Sequence, residues 1–113
     1  MTVVETPLFL RKAESILDEE ERARLVAAIG TDPEAGEIIP GTGGVRKLRW
    51  ALPGRGKSGG ARVIYYFHNA DMPLVMLSIY AKNAKLNFTQ SERNELKRLI
   101  PELVQELREG RRR

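Results

Sequence analysis

Eight lysines and arginines fall between Val45 and Lys85: Arg46, Lys47, Arg49, Arg55, Lys57, Arg62, Lys82 and Lys85. Asp71 is the one acid in that stretch, which therefore carries +7. A concentrated positive field attracts polyanions more effectively than scattered charge. Arginine adds geometry, because a guanidinium grips two phosphate oxygens at once. The chemistry such a tract favours is capture of phosphate groups. The rest of the chain does not share the charge: the first 44 residues carry −5 and the last 28 carry +2, giving the net +4.

The cations sit on elements that would aim them. After a short, β-branched N-terminal strand over 2–5, three strands are expected over 46–51, 61–68 and 74 to 80 or 82, the last two joined by Asn69-Ala70-Asp71-Met72-Pro73, whose residue types suit a tight antiparallel connection. Alternate strand residues point to opposite faces. Lys47 and Arg49 therefore project together while Leu48 and Trp50 project the other way, so that one face packs and the other binds. Arg62 shares parity with Ile64 and Tyr66, and Ser78, Tyr80 and Lys82 share one parity in the last strand. A register that brings these sets to one surface would let Lys47, Arg49, Arg62 and Lys82 surround a single phosphate. Parity alone leaves the register open.

Helices complete the framework. Thr6-Pro7 is an N-cap with proline at the first helical position, followed by apolar residues at Phe9, Leu10, Ala13, Ile16 and Leu17. Asp18 with Glu21 reads as a capping box opening a second helix through Leu25, Val26 and Ile29, which Gly30 should end. These two look like an antiparallel pair, and 31–44, with four Gly and two Pro, reads as a connector. Thr89 with Glu92 opens a last helix striped by Leu96, Leu99, Ile100, Leu103 and Leu107, which Pro101 should kink or divide. The expected class is α+β, one domain over 1–113, in the order β-α-α-β-β-β-α, with helices against an antiparallel sheet.

Composition narrows the function classes. With 113 residues and 42% hydrophobic content the chain should fold around a single core. No cysteine is present, which removes disulfides, thiolate metal sites and a cysteine nucleophile. No apolar run approaches the roughly 20 residues of a membrane span, and the N-terminus lacks a signal-peptide pattern, so a soluble cytoplasmic protein without a membrane partner is expected. Gly56-Lys57-Ser58 is not a P-loop, because Ala51 stands where that motif needs its first glycine. A single histidine, His68, rules out a two-histidine ribonuclease site and suits a turn. Trp50 suits the core better than stacking on a base.

The run GTGGVRKLRW, then GRGKSGGARVIYYF, then LSIYAKNAK resembles the RelE/ParE superfamily of bacterial toxins, particularly its HigB-type branch. The resemblance covers nearly the whole chain. It implies a toxin neutralised by a cognate antitoxin, contacting operator DNA only through that complex. Many such toxins are endoribonucleases that cut mRNA on the translating ribosome; others poison gyrase. By resemblance, Lys47 and Arg49 match cations of the first sheet strand, Arg62 an arginine opening the next, and Lys82, with Lys85 behind it, a cation after the last. A tyrosine of some relatives is matched by Phe88, which lacks the hydroxyl.

The implied reaction uses the 2′-hydroxyl of RNA as nucleophile and needs neither metal nor cofactor. It requires removal of a proton, stabilisation of a doubly charged phosphorane and protonation of the leaving 5′-oxygen. Arg62 and Arg49 suit the phosphorane. Crowded cations favour the neutral amine of a lysine, which makes Lys47 or Lys82 a candidate base, with Tyr80 or Tyr66 as others. Arg46, Arg55, Lys57, Lys85 and Tyr80 are candidate RNA contacts. The alternatives are a ParE-like gyrase poison and a non-catalytic module that binds nucleic acid or antitoxin.

Overall fold

A computed structural model describes residues 1–52, 60–84 and 87–110. The elements are β1 (Val3–Glu5), α1 (Pro7–Ala13), α2 (Glu19–Thr31), β2 (Glu37–Ile38), β3 (Val45–Trp50), β4 (Ala61–Tyr66), β5 (Leu74–Ala81) and α3 (Gln90–Gly110). Each helix starts where its capping residues lie. Thr6 Oγ1 accepts the Phe9 N–H at 3.2 Å, with Pro7 at the first helical position. Asp18 accepts the Glu21 N–H at 2.7 Å while the Glu21 carboxylate accepts the Asp18 N–H at 2.9 Å. Thr89 and Glu92 make the same reciprocal pair at 3.1 and 2.8 Å. Each cap satisfies donors that a helix leaves open and stabilises its start by about 1 kcal/mol.

The sheet has five strands in the order β1-β5-β4-β3-β2. It differs from the expected antiparallel sheet in two ways. β1 runs parallel to β5, with Val4 opposite Val75. No hairpin links these distant strands, so nothing forces them antiparallel. Thr2 and Thr6 fix the pairing, through Leu74 N–H to Thr2 O at 2.9 Å and Thr6 Oγ1 to Met76 O at 2.8 Å. The second difference is β2, which forms inside the expected connector and pairs antiparallel with β3. A bulge in β5 also matters: Ile64 pairs with Ser78 but Tyr65 with Met76, leaving Leu77 as the extra residue.

Both sheet faces are packed. One carries Val63, Tyr65, Met76 and Ile79 against Phe9 and Ala13 of α1 and Leu25 and Ile29 of α2. The other carries Val45, Ile64, Tyr66 and Tyr80 against Ile100 of α3, with Leu96, Leu103 and Val104 alongside. The face expected only to bind is thus shared, with α3 covering part of it. No helix among the described residues is long and apolar enough to cross a membrane.

Pro101 does not divide α3, contrary to expectation, and the helix runs unbroken from Gln90 to Gly110. Proline removes the donor that would reach the Lys97 carbonyl. Pro101 lies on the exposed side, where water can serve that carbonyl, while Ile100, Leu103 and Val104 hold the helix to the sheet on the other. α1 is shorter than expected, giving way to a turn after Ala13, and α2 runs one residue past Gly30.

The segment between α2 and β2 is tied to the sheet by Tyr65. Its hydroxyl donates to the Pro33 carbonyl at 2.8 Å and accepts the Gly36 N–H at 2.8 Å. A Cβ at Gly36 would lie 2.8 Å from that hydroxyl, so only glycine permits this approach. Burial raises the Tyr65 and Tyr66 phenols above the ordinary 10.0. The folded chain holds these protons more tightly than the unfolded one, so the linked stability is complete below pH 10.0 and is lost as pH rises through the folded-state values.

Two substitutions test this framework. Tyr65→Phe leaves the Gly36 N–H and Pro33 carbonyl without their partner and should cost about 1–3 kcal/mol in urea unfolding. Pro101→Ala restores a helical donor and should raise stability by up to about 3 kcal/mol in the same assay.

Candidate nucleic-acid interface

The interface begins with the turn that delivers β3. Gly41, Gly43 and Gly44 have φ of 78°, 80° and 112°, a region other residues seldom enter, and they reverse the chain between β2 and β3. Within the turn the buried Thr42 hydroxyl donates to the Ile39 carbonyl at 2.7 Å and accepts the Val45 N–H at 3.1 Å. The start of β3, and with it every later side chain of that strand, is fixed.

From there the register sets two cross-strand rows on the face that α3 partly covers. In one, Glu37 of β2, Lys47 of β3, Ile64 of β4 and Ser78 of β5 lie side by side. In the other, Arg49 stands opposite Arg62, which stands opposite Tyr80. Directly paired residues have Cβ atoms about 5 Å apart. Two guanidinium groups are therefore anchored next to each other, with an ammonium group two residues along. Like charges placed opposite one another are destabilising, by a few tenths to about 1 kcal/mol. Among the described residues neither Arg49 nor Lys47 has an ion pair, and the Arg62 guanidinium has only a 3.3 Å hydrogen bond to the Ala61 carbonyl. An anion would relieve this repulsion.

Two clefts lie on either side of the arginines. The larger, about 470 Å³, is lined by Ala35, Glu37, Lys47, Leu48, Arg49, Arg62 and Asn87. The smaller, about 270 Å³, adds Lys82, Trp50 and Gly60 to the same Arg49 and Arg62. Lys82 is exposed beyond the end of β5, its N–H donating to the Gly60 carbonyl at 3.0 Å. The four cations singled out as a phosphate cluster thus lie around one pair of adjoining clefts. Spacing could not place Glu37, because its position opposite Lys47 depends on a strand that the Gly- and Pro-rich composition of 31–44 conceals.

Other candidates fall elsewhere. Arg46 has the parity of Leu48 and points away from the cluster, where it donates to the Gly36 carbonyl at 2.8 Å and approaches the Glu34 carboxylate at 3.8 Å. Its placement is that of a clamp on the connector. Tyr80 is opposite Arg62 but sits in the core under α3, its ring edge-on to Phe88 with centroids 6.5 Å apart. Tyr66 lies at the far end of β4, opposite Val45, its hydroxyl 2.8 Å from Nδ1 of His68. Trp50 packs beside the α1 and α2 core and also lines the smaller cleft. Arg55, Lys57 and Lys85 lie outside the described residues.

The fold of strands and helices agrees with one comparison. The model of the family described as the RelE toxin of the RelE/RelB toxin–antitoxin system matches residues 1–110. With almost its whole length matched, the chain belongs to the RelE toxin family, as the toxin of a toxin–antitoxin pair whose partner is a cognate antitoxin.

Proposed function

We propose that this toxin is a metal-independent endoribonuclease that cleaves mRNA, on the ribosome, and so blocks translation, as in the HigB-type branch. The observation that carries the reading is the juxtaposition of Arg49 and Arg62 across β3 and β4, with Lys47 and Lys82 in the two clefts they share. Family membership supports it, since RelE toxins are generally ribonucleases.

The chemistry follows from the charges. The 2′-oxygen attacks the adjacent phosphorus, the P–O5′ bond breaks, and a 2′,3′-cyclic phosphate and a 5′-hydroxyl result. Negative charge grows on the non-bridging oxygens as the phosphorane forms, and two preorganised guanidinium groups stabilise it more than they stabilise the ground state. An ammonium group of Lys47 or Lys82 protonates the departing 5′-oxygen. Arg55, Lys57 and Lys85 extend the positive charge for backbone contacts to messenger or ribosomal RNA, which depend strongly on salt.

Primer extension on mRNA from cells expressing the toxin tests the reading. Arg62→Ala should slow cleavage on the order of 10²–10³, as does loss of one preorganised donor. Arg62→Lys should recover only part, because a point charge does not reproduce the bidentate contact. Thermal unfolding of Arg62→Ala should change by less than about 1 kcal/mol, since the variant also removes the repulsion with Arg49. Intact mRNA together with gyrase-trapped DNA breaks would overturn the reading in favour of a gyrase poison.

A further inference from the structure

RNA cleavage by the 2′-hydroxyl needs an acceptor for its proton, and the family tyrosine matched by Phe88 has no hydroxyl here. Tyr80 packs in the core against Phe88, and Tyr66 stands at the other end of its strand. Resting on the endoribonuclease reading, we propose that the Glu37 carboxylate is the general base that takes the 2′-hydroxyl proton.

Five observations support the assignment. Glu37 is the one acidic residue lining either cleft among the described residues. Its partner across the strands is Lys47, one row from Arg49 and Arg62, so its carboxylate enters the space where those cations would hold a phosphate. The backbone just before it is fixed from two sides, by the Tyr65 hydroxyl on the Gly36 N–H and by Arg46 on the Gly36 carbonyl, each at 2.8 Å. Glu34, the neighbouring acid of the connector, is turned to Arg46 on the other face. Glu37 is exposed and, among the described residues, has no ion pair, so the carboxylate is available to substrate.

The proton transfer balances. As O2′ bonds to phosphorus, its proton passes to a Glu37 oxygen, the P–O5′ bond breaks, and an ammonium group supplies the proton to O5′. The phosphorane gains its second negative charge as Glu37 loses its own. Net charge within the cleft is conserved, and the new charge on the phosphorane lies beside Lys47, Arg49 and Arg62.

The bland alternative is an edge-strand carboxylate that only balances Lys47. Single-turnover cleavage of a defined mRNA on programmed ribosomes, followed across pH, separates the two. Glu37→Gln should lose 10²–10⁴ in rate and lose the acid limb of the pH–rate profile, with RNA affinity undiminished and the thermal midpoint held. Glu37→Asp should keep the acid limb. Arg62→Ala is run in parallel. If Arg62→Ala is slow while Glu37→Gln cuts at the parental rate or keeps its acid limb, the base assignment is overturned and the cleavage reading stands. If the parental toxin leaves mRNA intact, both fall.

Discussion

The pairing register of β3 with β4 is the constraint on which the rest depends. Residues alternate faces along a strand, so a slip of one position would exchange Lys47 and Arg49 for Leu48 and Trp50 on the α3 side. Such a slip would push two cations into the core built by α1 and α2 and turn the apolar pair out to water. Hydrophobic burial therefore specifies the register, and the cationic rows follow from it despite the repulsion between Arg49 and Arg62. The turn at Gly41–Gly44, locked through Thr42, gives the strand a fixed starting point.

That arrangement keeps like charges together because the cores on either side hold them there. Arg49 and Arg62 repel, yet each is flanked along its strand by packed residues, Leu48 and Trp50 in one and Ala61 and Val63 in the other. α3 covers the end of the face bearing Val45, Ile64 and Tyr66 and leaves the end bearing the cations open. Sheet packing thus supplies a rigid base, and the uncovered end supplies a concave positive surface. The acidic first 44 residues keep the net charge small while this field stays concentrated.

Much of this was legible in the residue order. Caps at Thr6, Asp18 and Thr89 announce their helices because the chemistry of an N-cap is local, and the parity of Lys47, Arg49 and Arg62 follows from the strand period alone. Information that depends on distant partners was not legible. The parallel pairing of β1 with β5 joins segments about 70 residues apart, and no local pattern encodes it. β2 was hidden by glycines and prolines that usually mark a loop, and with it Glu37 and the two anchors on Gly36. Pro101 misled for the opposite reason: a local rule against proline in a helix gave way to contacts made by Ile100, Leu103 and Val104 on the far side. Arg46, a candidate RNA contact by composition, has the opposite strand parity to Lys47 and is engaged by the Gly36 carbonyl, a partner that local sequence does not reveal.

The chemistry of the cut ends tests the central claim most directly. Purified toxin acting on ribosome-bound mRNA, with the fragments' termini identified by mass spectrometry, should yield 2′,3′-cyclic phosphates and 5′-hydroxyls, as attack by the RNA's own 2′-hydroxyl at a cationic phosphate site demands. Fragments ending in 3′-hydroxyls and 5′-phosphates would show that water or a metal-bound nucleophile had attacked instead, and would contradict the account.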